Sequence, residues 1–119
     1  MADRCLVWFI PKFLAGVQGE DVSTPYVLDD DYAPVRVVVR QQEAQGGDAT
    51  IIDINDDGVS IFGDVKPAVN QGLLDTEWDA FEETLTFLAK DSVITLDVDQ
   101  VSRTVPGSHL MVQLELDRL

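Results

Sequence analysis

Oxygen-bearing side chains at alternate positions form the most site-like feature of this sequence. Asp53, Asn55 and Asp57 alternate, Gly58 takes the sixth position of the stretch, and Asp64 takes the twelfth. This spacing imitates a calcium-binding loop, in which oxygen ligands at alternate positions surround a hard cation. The flanking sequences predict strands instead of helices, and the short Asp64 side chain reaches a bidentate geometry less easily than Glu would. A hairpin turn is the favoured interpretation, with a structural calcium ion as the alternative.

Other kinds of site find little support in the sequence. His109 and Cys5 are the single histidine and the single cysteine, so a transition-metal site would lack nitrogen and sulfur ligands. We expect His109 to be an exposed or half-exposed strand residue and Cys5 to pack as a small apolar side chain. No serine stands in a G-x-S-x-G turn, and glycine-rich phosphate motifs are absent. The sequence therefore predicts no catalytic residue, no cofactor-binding residue and no enzyme activity.

Four aromatic side chains could form a platform on which a sugar stacks. They are Trp8, Tyr26, Tyr32 and Trp78. Trp8 lies within an apolar run and Trp78 lies on an apolar stripe, so burial in the core is favoured for both tryptophans. An exposed platform is the alternative.

The charge of the chain limits its partners. Twenty-two acidic residues against eight basic ones give a net charge of −14. Such a field repels nucleic-acid phosphates and anionic bilayers, so we expect neither nucleic-acid binding nor membrane insertion. The acidic residues are expected to solvate the outer faces, and they could also favour a cationic partner or divalent cations. The first residues, interrupted by Asp3, Arg4 and Lys12, predict no signal peptide or membrane span.

These residues must be positioned by strands, because short alternating runs dominate the sequence. Asp57-Gly58 between two apolar runs is a strong hairpin signal. The first run is expected to end at Pro11, since proline lacks the donor that a strand ladder needs. Six to eight strands in one domain, residues 1–119, predict an all-β antiparallel β-sandwich of jelly-roll-like type. The predicted strand and hairpin segments are 4–10, 35–40, 50–62, 92–101 and 109–116.

One segment between these strands is ambiguous. Leu74, Trp78, Phe81, Leu85 and Leu88 recur at the steps of a helix face. The sequence ETLTF within the same segment alternates like a strand instead. We expect a short helix or turn near 75–81 and a strand near 83–88.

Three stretches of the sequence carry one pattern: TIIDINDDGVSIFGD at 50–64, LAKDSVITLDVDQV at 88–101 and PGSHLMVQLEL at 106–116. Taken in this order, they resemble a pattern found in structural proteins of tailed bacteriophages. The resemblance implies a small β-sandwich domain that is assembled as a repeated subunit in tails, fibres, necks or head decorations. The matching residues make turns and enter the core, so it transfers no catalytic or ligand position.

The resemblance leads to one functional expectation and two alternatives. We expect a non-enzymatic structural or assembly protein of the virion, made in the host cytoplasm, that binds other virion proteins and copies of itself. A carbohydrate- or receptor-binding module on the virion surface is the first alternative. A small hydrolase on the same scaffold is the second, although the sequence offers no constellation of residues for it.

Overall fold

The computed structural model describes residues 2–119, apart from the side chain of Phe13, and this part of the chain contains strands and no helix. The all-β prediction is confirmed. No stretch of the described chain forms a long apolar helix of the kind that crosses a bilayer. The strands are β1 (Arg4–Phe13), β2 (Tyr26–Val27), β3 (Tyr32–Arg40), β4 (Thr50–Asp56), β5 (Val59–Ser60), β6 (Ala68–Val69), β7 (Asp75–Trp78), β8 (Val93–Gln100) and β9 (Ser108–Arg118).

Two antiparallel sheets pack against each other, which confirms the predicted sandwich. The four-stranded sheet has the order β1-β9-β3-β7. The five-stranded sheet has the order β2-β8-β4-β5, with β6 added beside β4. The jelly-roll type stays a prediction.

The core lies between the sheets because alternate residues of each strand point inward. β9 contributes four apolar side chains at every second position, and β4 and β8 face them with three isoleucines, a leucine and a valine. Burying such a side chain contributes roughly 1.5–3 kcal/mol. The inward-pointing residues of these strands are Leu110, Val112, Leu114, Leu116, Ile52, Ile54, Ile94, Leu96 and Val98.

The helix predicted near 75–81 is wrong. Residues 75–78 form β7, which pairs with β3 so that Trp78 stands opposite Val37. The valine-rich β3 offers an unpaired edge, and pairing with that edge overrides the weak helical spacing. The strand predicted near 83–88 is also wrong, although Leu88 forms an isolated bridge with Tyr32 and is fully buried.

The first strand does not end at Pro11, as predicted, but continues to Phe13. β1 lies at the edge of its sheet, and the hydroxyl of Tyr26 bonds both the N–H and the C=O of Val7 from the free side, at 3.4 and 2.7 Å. Alternation places Pro11 on that same free side, where its missing N–H costs no ladder bond. The edge position therefore explains why the strand tolerates proline.

The segment around β2 closes this edge of the sandwich. Trp8 donates its indole N–H to the carbonyl of Thr24 at 3.1 Å, and Arg4 forms an ion pair with Asp29. The rings of Trp8 and Tyr26 meet edge to face, with centroids 5.3 Å apart. These contacts tie the edges of the two sheets together.

Candidate functional site

A group of polar and charged side chains lies on the side of the five-stranded sheet that faces away from the core. Ile52 and Ile54 point from β4 into the core, so Asp53 between them points outward. In the β4–β8 pairing Asp53 stands directly opposite Asp97. Asp99 follows two positions later, at a β-bulge, since Ile51 pairs with Gln100 while Ile52 pairs with Val98. Carboxylate oxygens of Asp53, Asp97 and Asp99 lie within 4.8 Å of one another.

Neutral donors hold the two buried carboxylates in place. Asp97 accepts a hydrogen bond from the side-chain amide of Asn55 at 2.6 Å and another from the backbone N–H of Asp21 at 2.8 Å. Asp53 accepts a hydrogen bond from the hydroxyl of Ser60 at 2.6 Å. Buried carboxylates keep their charge only when such partners replace water. Their positions are therefore fixed by the hairpin and by the loop before β2.

Lys66 supplies the positive charge of this cluster. Its ammonium nitrogen lies 3.1 Å from Oδ2 of Asp53 and 3.0 Å from Oδ2 of Asp99. These hydrogen bonds, led by the one to Asp99, raise the pKa of Lys66, so the ammonium stays charged at neutral pH. The chain itself thus places a cation between two carboxylates, and the arrangement is complete as an internal ion-pair network.

The cluster forms the floor of an open hollow of about 450 Å³, here called the acidic pocket. Glu20 and Asp21 add two exposed carboxylates at its rim, so five carboxylates face one ammonium. The resulting field attracts cationic groups and repels phosphates and carboxylates. The residues lining the acidic pocket are Glu20, Asp21, Asp53, Asn55, Gly58, Ser60, Lys66, Thr95, Asp97 and Asp99.

The residues of the calcium alternative do not form one group. Asp53 and Asn55 lie in the acidic pocket, but the carboxylate of Asp57 accepts the backbone N–H of Val93 at 2.8 Å. Asp57 and Gly58 have φ angles of 49° and 87°, which confirms the predicted hairpin turn. Asp64 is exposed in the segment that follows β5. In the described chain, the carboxylates that meet Asp53 are Asp97 and Asp99.

No protein-family model, curated relative or solved structure matches this chain. The single histidine and the single cysteine lie on the four-stranded sheet. His109 is half-buried, and its ring centroid lies 6.3 Å from that of Phe9. Cys5 is exposed there, so the prediction that it packs as an apolar side chain is wrong. Strand alternation places Cys5 on the outer face beside core-facing Leu6.

The four aromatic residues occupy different environments. Trp8 and Tyr32 are 2% and 0% exposed, which confirms core packing for Trp8 and leaves neither ring open for stacking. Tyr26 and Trp78 are half-buried and pack against the core. The indole N–H of Trp78 bonds the carbonyl of Ala80 at 3.0 Å.

Asp56, at the end of β4, is expected to oppose folding at neutral pH. Its Oδ1 atom is buried without a hydrogen-bond partner among the described residues. Burial raises the pKa of its carboxyl; a hydrogen bond with Ser92 opposes this effect, and the charge of Asp57 adds to it. The folded chain therefore holds a proton that the unfolded chain releases near pH 3.8. Stability is highest below that value and falls as pH rises through the folded pKa.

Replacing Asp56 by asparagine is expected to stabilise the chain at neutral pH. The gain should be at most about 1 kcal/mol, because solvent screens the charge of this half-buried group. It should vanish as the pH falls below 3.8, where the carboxyl of Asp56 is protonated in the folded and in the unfolded chain. Thermal unfolding across the acidic range measures the difference, with exposed Asp64→Asn as the matched control. A gain from Asp56→Asn that is constant with pH would contradict the explanation.

Proposed function

We propose that the chain is a non-enzymatic structural module of a bacteriophage virion that works through contacts with other protein subunits. The observation that carries this proposal is the exposed apolar surface of the four-stranded sheet. Val7, Phe9 and Leu74 are 41%, 53% and 43% exposed there, on a chain with a net charge of −14. A cluster of exposed apolar side chains on an otherwise charged protein is typical of a protein-binding surface.

The resemblance to phage structural proteins supports the setting. The residues that carry it have folding roles: Asp57 and Gly58 make the hairpin turn, and Ile61 and Phe62 are buried. A side chain at Gly107 would place its Cβ 2.4 Å from Oε1 of buried Gln41, so this position requires the absence of a side chain. The resemblance therefore concerns residues that specify the sandwich.

The two sheets present outer faces of different chemistry. One combines exposed apolar side chains with charges of both signs, and the other contains the acidic pocket. A subunit with two such faces can contact neighbours of different kinds, and the acidic one suits a cationic partner surface. We propose other virion proteins and further copies of the chain as these neighbours, after synthesis in the host cytoplasm.

Purified particles test the proposal. Quantitative mass spectrometry is expected to find the chain at a fixed copy number, and labelling in electron microscopy is expected to find it at one location. Presence in the infected-cell lysate with absence from purified particles would overturn the virion assignment.

A variant pair tests the role of the apolar surface in the particle. Phe9→Asp is expected to reduce incorporation at least about tenfold, because it places a charge in an apolar contact. Val65→Asp, at a side chain that is 67% exposed in a loop, is the matched control and should be incorporated normally. Equal incorporation of both variants would count against the surface.

A further inference from the structure

The outer face of the four-stranded sheet is ordered in three rows of side chains that run across the strands. Residues paired in an antiparallel sheet share a face, so each row follows from the register of β1, β9, β3 and β7. We call these residues the outer face. The rows are Cys5, Glu115 and Arg36; Val7, Gln113, Val38 and Glu77; and Phe9, Met111, Arg40 and Asp75.

An apolar hollow of about 350 Å³ lies at one end of the outer face. Phe9, Met111 and Leu74 supply its apolar lining, and its polar groups come from Arg40, Gln41, Gln42 and His109. Arg40 is only loosely paired, 3.6 Å from Asp75, and the side chains of both residues are about 60% exposed. The hollow thus places apolar surface beside Arg40. Because Arg40 and Asp75 are exposed and only loosely paired, both can bind charged groups of another molecule.

The charges of the outer face nearly balance, unlike those of the whole chain. Two arginines stand among three carboxylates, and the arginines lie on β3 while the carboxylates lie on the flanking strands β7 and β9. In the acidic pocket, by contrast, five carboxylates face one ammonium. For a chain with a net charge of −14, the outer face is therefore the side on which two copies repel each other least.

We propose that two copies of the chain pair through their outer faces about a two-fold axis that runs parallel to the strands between β9 and β3. This inference rests on the proposed function, a module that works by protein contacts, and names one partner. The axis lays β1 of one copy over β7 of the other, so Phe9 covers Leu74 and Asp75 of the second copy. Met111 covers Arg40. A surface that carries both halves of a complementary pair is what a two-fold interface requires.

The row of Cys5, Glu115 and Arg36 fixes the register of this pairing. The same axis places Glu115 of each copy over Arg36 of the other. Within one copy Arg36 already forms ion pairs with Glu115 and, at 3.3 Å, with Glu77, so the dimer brings together two arginines and four glutamates. Alternating charges of this kind align the two faces and disfavour a shifted register.

The area of the outer face determines how tightly the two copies are expected to bind. Four strands and five residues along each strand span roughly 20 Å in each direction, or roughly 400 Å² on each copy. A standard stable interface buries about 800 Å² on each partner. The pairing is therefore expected to be weak, with a dissociation constant on the order of tens to hundreds of micromolar.

Sedimentation velocity of the purified chain from about 5 to about 500 µM tests the pairing. The parent chain is expected to shift from monomer to dimer, and Phe9→Asp should weaken this association at least about tenfold. Val65→Asp should dimerise like the parent. A parent chain that stays monomeric at the highest concentration overturns the dimer, as does an equal effect of the two variants. The virion assignment is judged separately, by the composition of purified particles.

A charge-reversal mixture tests the register. Arg36→Glu brings three carboxylates together on each copy, because Glu77 and Glu115 both lie at this point, and Glu115→Arg places two arginines beside Glu77. Each variant alone should therefore be monomeric. Mixed in equal amounts, the two should form a one-to-one heterodimer, because each arginine then meets a glutamate of the other copy. Mutual rescue between separate chains cannot arise from the ion pair within one chain. A mixture that stays monomeric while the parent dimerises overturns the proposed axis.

Discussion

Replacing Trp8 by alanine is expected to lower the free energy of unfolding by about 3–5 kcal/mol. Trp8 is 2% exposed and is among the largest fully buried side chains. The substitution removes its ring contact with Tyr26 and leaves the carbonyl of Thr24 without its indole donor. A cavity would then open where the edges of the two sheets meet. Urea unfolding followed by circular dichroism measures the loss.

Two variants separate the contributions to this loss. Trp8→Phe keeps most of the apolar volume and removes the hydrogen bond to Thr24, so a smaller loss of about 1–2 kcal/mol is expected. Phe9→Ala, at the neighbouring side chain that is 53% exposed, should cost less than about 1 kcal/mol. A loss for Trp8→Ala no larger than that for Phe9→Ala would contradict the core position of Trp8. If Trp8→Ala abolished binding to a glycan and left the free energy of unfolding unchanged, the sugar platform would be favoured over the core position of Trp8.

Strands and turns that depend on local residues could be predicted from the sequence. The Asp57-Gly58 turn follows from the ease with which these residues adopt a left-handed backbone, and the flanking alternation shows which side chains point inward. The last strand is equally clear, because Leu110, Val112, Leu114 and Leu116 mark one buried face. These elements can be predicted without knowing which strands lie beside them.

Elements that depend on an edge could not be predicted. β7 forms because the exposed edge of β3 is available for pairing, and the spacing of Leu74 and Trp78 carries no information about that edge. β1 passes through Pro11 because its free side faces no ladder. The exposure of Cys5 could not be predicted either, because both faces of β1 carry apolar side chains. Only the packing of the second sheet decides which of these faces is covered.

The acidic pocket shows the same division between local and distant information. Asp53 and Asn55 were recognisable as oxygen-bearing residues at alternate positions of one strand. Their meeting with Asp97 depends on the register of β4 against β8, and Asp99 also depends on a bulge in that pairing. Lys66 lies in the segment between β5 and β6, and no pattern in that segment predicts a contact with the carboxylates. Alternating acids in the run VITLDVDQ were the one local hint, and they indicated a half-buried strand as readily as a site.

Replacing Lys66 by methionine is expected to lower the free energy of unfolding by about 2 kcal/mol. Removing one partner of a fully buried ion pair costs about 3–5 kcal/mol, and the cost here is smaller because the side chain of Lys66 is 29% exposed. Asp53, whose side chain is 5% exposed, would be left buried and negative opposite Asp97. Chemical unfolding of parent and variant at neutral pH measures the difference.

Lys90→Met is the matched control for the loss of one positive charge, because Lys90 is exposed and forms no ion pair with another described residue. It should cost less than about 0.5 kcal/mol. Equal losses for the two lysine variants would show that the ion pairs of Lys66 add nothing to the free energy of unfolding beyond the effect of one positive charge on the net charge. Adding Asp53→Asn to Lys66→Met should recover part of the loss, since it removes the carboxylate left without its ammonium.

The pH dependence separates a specific ion pair from simple packing by the lysine stem. Because the folded pKa of Lys66 is raised, its contribution is fully present below the ordinary value of 10.5 and is lost as pH rises through the folded pKa. The difference between parent and Lys66→Met should therefore be large at neutral pH and shrink in strong alkali. A difference constant at all pH values would assign the stabilisation to the methylene stem, which methionine retains in part.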